Sequence, residues 1–198
     1  MELPRLVRKR LEQKLRELDI VVQEGRHAAV AMVLKEDSKS NDVHLLLMKR
    51  AEREGDPWSG QISLPGGHKD PSDEDLLATA IRENHEEVGV ALKEVSDHLG
   101  RLQSVDVKPK RPKGPQHVHP FVFVLNQDVE FALNHEAQKV FWLSLKEVQS
   151  GRLDGTHSFQ YAGRDMQLPC WNAQGEVVWG LTYKIVTRLL NLVSRISF

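Results

Sequence analysis

Residues 64–90 place a glycine pair, a short polar loop and an acidic helical pattern in immediate succession. Gly89 favours a helix end, because glycine adopts the left-handed conformation at a helix C-terminus without steric cost. Asp73 is an acceptable N-cap, and the acidic residues after it suit the positive end of the helix dipole. The pattern therefore predicts a helix that begins after Asp73 and ends at Gly89.

This predicted helix has two faces, because successive residues are about 100° apart around the helix axis. One narrow arc carries the apolar residues Leu77, Ile81 and Val88, which predicts the buried side. The opposite arc carries three glutamates flanked by Arg82: Glu83, Glu86 and Glu87.

These glutamates lie at i, i+3 and i+4, and each such pair repels by a few tenths of a kcal/mol. No Lys or Arg stands four residues after any of them to offset that repulsion. A hard divalent cation would remove the penalty and use the carboxylate oxygens. A solvated acidic face needs no ligand and is the commoner case. Spacing alone leaves both interpretations open.

The surrounding residues resemble the Nudix box, G-x5-E-x7-R-E-U-x-E-E-x-G-U, over residues 66–90. The resemblance implies the Nudix fold, an α/β (α+β) protein with an α/β/α sandwich around a central mixed β-sheet. It also implies a metal-dependent hydrolase of a nucleoside diphosphate linked to another group. By position, Glu83, Glu86 and Glu87 would bind Mg²⁺ or Mn²⁺, and Arg82 would orient them by salt bridge.

The match departs from the box at two places. The interval from Gly67 to Arg82 is one residue longer than in the box. Counting forward from Gly67 makes Asp73 the first acid, whereas counting back from Arg82 makes it Glu74, and both stay open. Asn84 stands where an apolar residue is usual, and we expect it at the edge of the buried arc.

Both flanks of the box are similar to the coenzyme A pyrophosphatase branch of the family. They read GG-x-x-DP-x-D and TAIRE-x-x-EEVG inside the box, and LLMKR and GQISLP upstream of it. The upstream pair resembles the signature LLTxR…GxxxFPGG, with Met48 for Thr, Leu64 for Phe and a spacing between the two halves that differs by one residue. The branch's second arginine has its nearest counterpart in Arg53.

That resemblance implies cleavage of coenzyme A or acyl-CoA to 3′,5′-ADP and (acyl-)4′-phosphopantetheine. Arg50 and Arg53 are candidates for substrate binding, and so are Gly66 and Gly67, whose backbone can approach phosphates because no Cβ blocks it. Two alternatives remain. One is a Nudix hydrolase acting on a nucleoside triphosphate, ADP-ribose or a dinucleotide, and the other is a non-catalytic ligand-binding module.

Glu136 is a further candidate, because it lies in a loop just before the strand-like residues 140–143. Nudix proteins often place one more carboxylate at such a position, where it holds metal or acts as general base. An ordinary exposed glutamate is the alternative. The resemblance therefore adds Glu136 to the candidate catalytic residues.

The remaining pattern predicts one domain spanning residues 1–198. An amphipathic helix is expected over residues 5–18, a hairpin over 27–34 and 43–49, and a last helix over 180–196. Residues 117–125 are strongly β, and Pro120 predicts an edge position or a bulge at the start of that strand. His117 and His119 share a face and could bind a transition metal, but we expect none there because the acidic helix calls for a hard cation.

Charge and cysteine content narrow the partners. The net charge of −1 carries no nucleic-acid or membrane signature. A single cysteine, Cys170, excludes an intramolecular disulfide and fits a reducing cytoplasm. The basic residues 108–113 suit either a solvated loop or a mobile arm that meets substrate phosphates. The expected partner is a small nucleotide substrate, and the fold resemblance also allows a homodimer.

Overall fold

A computed structural model describes residues 5–18, 24–37, 39–56, 58–108, 114–161 and 164–194. Its helices are α1 Arg5–Arg16, α2 Leu76–Val88, α3 Leu92–Val95, α4 Leu145–Gln149 and α5 Gly180–Ser194. Its strands are β1 His27–Asp37, β2 Asp42–Arg50, β3 Ile62–Ser63, β4 Gly66–His68, β5 Ser96–Arg101, β6 Val105–Asp106, β7 His117–Leu125, β8 Ala137–Ser144, β9 Asp154–Tyr161, β10 Arg164–Ala173 and β11 Glu176–Trp179.

Strands β1 to β8 form one mixed sheet. β1 and β7 pair in parallel, and the other strand pairs of this sheet are antiparallel. The expected hairpin is confirmed, with Leu34 opposite Leu45 where β1 meets β2. Further back along β1, Val30 lies opposite Gly66 of β4, so the glycine pair is held against a central strand.

Hydrophobic residues fill both faces of this sheet, because β1, β2 and β7 alternate their apolar side chains between the two sides. One cluster includes Leu11 and Leu15 of α1 and Leu189 of α5. The other cluster includes Ala80 and Val88 of α2. Helices therefore cover both faces of a mixed sheet, which confirms the predicted α/β/α architecture.

The last three strands form a separate antiparallel sheet in the order β11-β10-β9. Ala173 lies opposite Glu176 at the expected turn between β10 and β11. β11 leads directly into α5, and Cys170 of β10 is buried. Helix α1 ends at Arg16 and is therefore shorter than the predicted helix over residues 5–18. Residues 195–196 of the predicted last helix lie outside the described residues.

The expectation for Pro120 was wrong, because β7 lies inside the sheet between β1 and the pair β5 and β6. Its carbonyl accepts a hydrogen bond from Leu102 N at 2.9 Å, where the neighbouring partner changes from β6 to β5. The N–H and C=O of one strand residue project to the same side. The missing N–H of Pro120 therefore faces the gap between two short strands, where no ladder bond is lost.

The caps of α2 correct one prediction and confirm another. Asp75, and not Asp73, is the N-cap, and its carboxylate accepts a hydrogen bond from Ala78 N. Gly89 ends the helix in the left-handed conformation with φ of 78°. The Asp73 side chain instead pairs with Arg82, nine residues further along the chain.

No helix of the described residues is long and apolar enough to span a membrane.

Candidate active site

The glycine pair of β4 lies directly against two glutamates of α2. Gly66 N donates a hydrogen bond of 2.7 Å to Glu87 Oε2. A Cβ added at Gly67 would lie 2.4 to 2.5 Å from the carboxylate atoms of Glu83. A Cβ at Gly66 would lie 2.3 Å from the carbonyl oxygen of Ala29, and its φ of +152° also disfavours other residues. The glycines thus let the helix and the strand approach each other.

Arg82 connects three carboxylates. Its Nε and Nη2 donate to the two oxygens of Asp73 at 2.9 and 3.0 Å. Its Nη1 lies 2.9 Å from Glu83 Oε1 and 3.1 Å from Glu86 Oε2. The guanidinium is planar and forked, so these contacts fix its direction and the rotamers of its partners. Arg82 therefore contacts two of the three glutamates, as an orienting role would require, and the role itself stays a prediction.

The same contacts distinguish the two candidates for the first acid. Asp73 is buried at 8% exposure and also accepts hydrogen bonds from Asp70 N and Thr79 Oγ1. The Arg82 guanidinium holds the pKa of Asp73 well below its usual range. Glu74 is exposed to solvent. Asp73 is thus the acid that pairs with Arg82.

The three glutamates of α2 differ strongly in burial. Glu87 is buried at 2% exposure, Glu83 is partly buried, and Glu86 is exposed. Burial raises the pKa of Glu87 to about 8, although the hydrogen bond from Gly66 opposes the rise. Burial also raises the pKa of Glu83, while Arg82 opposes that rise. Two carboxylates are therefore held where their charged forms lack full compensation from the protein.

The donor set fits a hard divalent cation, because it offers carboxylate oxygens and the ionised forms would gain from a nearby positive charge. Within the described ranges, no three Asp, Glu, His or Cys side chains are already grouped around one metal position. Arg82 instead holds Glu83 and Glu86. Hence the residues fit the ion in chemistry, while their described side-chain positions are those of the arginine-bound arrangement.

Glu136 comes from a different element and reaches the same cleft. Its backbone is fixed by two hydrogen bonds: its N donates to Asn134 Oδ1 at 2.7 Å, and its carbonyl accepts from Ala51 N at 2.8 Å. Its charge acts on Glu83 and Glu87, raising the pKa of each as a minor cause. The loop before β8 therefore presents a fourth carboxylate to the acidic end of the cleft.

The two candidate arginines are placed differently. Arg50 lines the cleft, with Nη2 3.1 Å from Asp56 Oδ2, and its charge lowers the pKa of Glu87 as a minor cause. Arg53 is not among the residues that line this cleft. Its Nη2 donates to His135 O at 3.1 Å, and its Nη1 lies 3.7 Å from Glu136 Oε1. Arg53 thus contacts the Glu136 loop and does not line the cleft.

These groups share one cleft of about 860 Å³. Of the predicted site residues, it brings together Arg50, Gly66, Gly67, Glu83, Glu86, Glu87 and Glu136. Arg82 holds the glutamates from outside the lining. Lys108 also lines the cleft, whereas residues 109–113 of the basic segment lie outside the described residues.

Sequence reasoning missed most of the apolar part of this lining. It includes Leu64, Val118, Phe159, Trp179 and Leu181. Trp58 also lines the cleft. The available signals were the alternation of β9 and the Trp179-Gly180 entry to α5. Neither signal indicates on its own that a strand from the second sheet faces the acidic helix.

The two histidine side chains of β7 contact residues of the neighbouring strands β1 and β6. His119 is fully buried, and its Nε2 lies 3.0 Å from Nδ1 of His27, which sequence reasoning did not single out. His117 Nδ1 lies 2.9 Å from Asp106 Oδ1. Burial lowers the pKa of His119 to about 4, so its ring is neutral at neutral pH. The expectation of no metal at His117 and His119 stays a prediction.

Comparison with known proteins places this geometry in a family. The model of the NUDIX domain matches residues 25–161. The uncharacterized Nudix hydrolase NudL of Photorhabdus laumondii is 32% identical over 172 residues, which cover 85% of this chain and 86% of that protein. The NudL of Yersinia pestis, also uncharacterized, is 31% identical over 153 residues, covering 76% of this chain and 72% of that protein.

A solved structure agrees at the level of the fold. The MutT/nudix family protein from Enterococcus faecalis aligns with a TM-score of 0.54 at 16% identity, covering 94% of this chain and 69% of that one. At that identity the likeness concerns architecture alone. The matched region contains the glycine pair, the whole of α2 and the Glu136 loop, so the chain belongs to the Nudix family and is a Nudix hydrolase, a pyrophosphatase.

Proposed function

We propose that this enzyme hydrolyses the diphosphate bond of coenzyme A or acyl-CoA, releasing 3′,5′-ADP and (acyl-)4′-phosphopantetheine. One observation carries the proposal. The segments that resemble the coenzyme A branch, with Arg50 on one and Gly66 and Gly67 on the other, fold against the acidic residues of α2 in a single cleft. The branch assignment itself rests on sequence similarity.

The proposed reaction needs a divalent cation, since Nudix enzymes typically depend on one. A bound Mg²⁺ or Mn²⁺ would neutralise diphosphate charge and favour attack by water. Glu83, Glu86 and Glu87 would hold the ion, and Arg82, itself anchored by Asp73, would orient the first two. Burial of Glu87 beside Gly66 would keep one ligand fixed to the backbone of β4.

The role of Gly66 differs from the one that the sequence suggested. Its N–H already donates to Glu87, so it is not a free donor for a phosphate oxygen. Gly67 lies against the Glu83 carboxylate. In this proposal the glycines act through close packing of the glutamates, and Arg50 is the cleft residue that meets substrate phosphate charge.

Glu136 is our candidate for the general base. It lies in the same cleft as the metal-binding glutamates, on a loop whose backbone is fixed at both its N–H and its carbonyl. A base must lie within reach of the attacking water, and the Arg53 guanidinium, with Nη1 3.7 Å from Glu136 Oε1, helps to hold that carboxylate in place. Lys108, at the entry of the basic segment, lines the cleft and is a candidate for a further phosphate contact.

The deciding experiment measures product release from coenzyme A with Mg²⁺, beside ADP-ribose and a nucleoside triphosphate, for wild type and Glu86→Gln. We expect rapid release of 3′,5′-ADP by wild type and a loss of at least roughly a hundredfold in the variant. Preferential cleavage of ADP-ribose or the triphosphate would retain the metal site and reject the substrate. No hydrolysis of any of these three substrates, together with good Mg²⁺ binding, would favour a non-catalytic binding module.

The cytoplasmic location, the single domain and the homodimer expected from the sequence stay predictions.

A further inference from the structure

Besides the acidic residues, the cleft has an apolar part of its lining, which we call the arm. The arm is lined by residues of the main sheet, of β9 and of the junction between β11 and α5: Val30, Leu64, Val118, Phe159, Trp179 and Leu181. A diphosphate held at the glutamates would leave this arm to another part of the substrate. The arm therefore bears on which diphosphates fit.

The register of β9 and β10 extends the apolar lining into a strip. Phe159 lies opposite Met166 and His157 lies opposite Leu168, so these four side chains share one face of the hairpin. Along β9 the alternate residues Ser158 and Gln160 are exposed on the other face. The Phe159 and Trp179 ring centroids are 4.9 Å apart, which joins the hairpin to β11.

Two residues leave apolar surface exposed at this strip. Met166 is 42% exposed beside Phe159, and Leu181 is 37% exposed at the start of α5. In the described part of the chain, three large hydrophobic side chains are this exposed, and Met166 and Leu181 are two of them. Exposed apolar groups gathered beside a cleft mark a binding surface more often than isolated ones do.

The shape of the strip favours a flexible chain over a planar base. The Trp179 ring is inclined by 47° to Phe159 and by 38° to His157, so these rings do not form a parallel slot. A nucleobase gains most when it stacks on a ring face. Uneven apolar walls of aliphatic and tilted aromatic side chains can still cover methylene groups, since burial of apolar area is non-directional.

We propose that this strip, defined by Phe159, Met166, Trp179 and Leu181, holds a flexible apolar chain of the substrate, on the side of the diphosphate away from the nucleoside. The inference rests on the proposed function, because it takes the diphosphate to lie against the glutamates. Within the proposed substrate, the groups held would be the methyl and methylene groups of the pantetheine arm and, in acyl-CoA, the acyl chain, with more apolar chain binding more tightly than less.

The test measures binding by calorimetry with Mg²⁺ present, using ethyl, butyl and hexyl phosphate and, as a base-bearing phosphate, AMP. Wild-type affinity should rise by roughly two- to fourfold per added methylene, the upper value corresponding to full burial. Phe159→Ala and the surface variant Leu181→Ala should each flatten this rise and leave AMP affinity within about twofold. Gln160→Ala, on the opposite face of β9, is the matched control and should retain the wild-type rise.

Three results would contradict the chain site or the proposed substrate, and the experiment distinguishes them. A wild-type affinity that does not depend on chain length would overturn the inference, even beside rapid hydrolysis of coenzyme A. A loss of AMP affinity in Phe159→Ala with the chain-length rise intact would assign the strip to the base instead. If coenzyme A is not hydrolysed while the chain-length rise is present and depends on Phe159, the proposed substrate fails and the strip remains a chain site for another diphosphate.

Discussion

Replacing Gly67 by alanine should disable the site while leaving the fold intact. The three heavy atoms nearest to the added Cβ would be the carboxylate atoms of Glu83, at 2.4 to 2.5 Å. To restore normal van der Waals contact, that carboxylate must retreat by roughly 1 Å. Misplacement of a catalytic group by this amount costs on the order of a hundredfold in rate. We therefore expect kcat to fall by roughly a hundredfold.

Stability should change little in Gly67→Ala, because a flexible side chain and not backbone must yield. Reduced entropy of the unfolded chain offsets part of the cost, so the free energy of unfolding should stay within about 1 kcal/mol of wild type. Gly66→Ala is the contrasting variant. Its Cβ would lie 2.3 Å from the Ala29 carbonyl oxygen at a φ of +152°, so it should lower stability by several times as much.

The assay combines steady-state kinetics with urea unfolding of both variants and of the double variant Gly67→Ala/Glu83→Gln. If alanine acts through Glu83, the double variant should be no slower than Glu83→Gln alone, since both changes remove the same group's function. Wild-type kcat in Gly67→Ala would refute the reasoning. Independent, multiplicative losses in the double variant would also contradict it.

Three further outcomes are expected. Asp73→Asn should cost roughly 1.5–3 kcal/mol, because the charged hydrogen bonds to Arg82 are weakened, whereas Glu74→Gln should stay within about 0.5 kcal/mol. Since Arg82 lowers the pKa of Asp73, this contribution is present above about pH 4 and is lost below it, so unfolding of Asp73→Asn should depend less on pH in that acid range. Burial lowers the pKa of His119 to about 4, so wild type should lose up to roughly 3 kcal/mol as the pH falls from about 6.5 to 4, and His119→Gln should lose less over that window. Saturating Mg²⁺ should raise the melting temperature of wild type and raise that of Glu87→Gln much less, because only the folded state gathers the carboxylates; equal shifts would place the ion elsewhere.

Much of the site could be predicted from short-range pattern. Glu83, Glu86 and Glu87 share a helix face because the helical repeat fixes their angles, and Gly89 ends that helix because few other residues adopt its conformation cheaply. Glu86 stands four residues after Arg82, so the salt bridge between them follows from local helix geometry. These relations need no knowledge of the rest of the chain.

Other features depended on contacts between distant segments. Asp73 was interpreted as the N-cap, yet Asp75 caps the helix and Asp73 instead accepts a hydrogen bond from Arg82, nine residues further along the chain. Asn84 was expected at the edge of the buried arc. It is fully buried instead, with Nδ2 donating to Val90 O at 2.8 Å, because the chain after Gly89 folds back over that face.

The periodic elements and the acidic face of α2 could be predicted from residues close together in the chain, and the glycine pair indicated a close approach of some other group. Only the folded chain identifies those groups: Glu87 lies against Gly66, Glu83 lies against Gly67, and the loop before β8 brings Glu136 into the same cleft. These features differ in how far along the chain the residues that determine them lie. Helical angle and backbone conformation are set within a few residues, whereas burial, and with it the raised pKa of Glu87, depends on which distant segments exclude water.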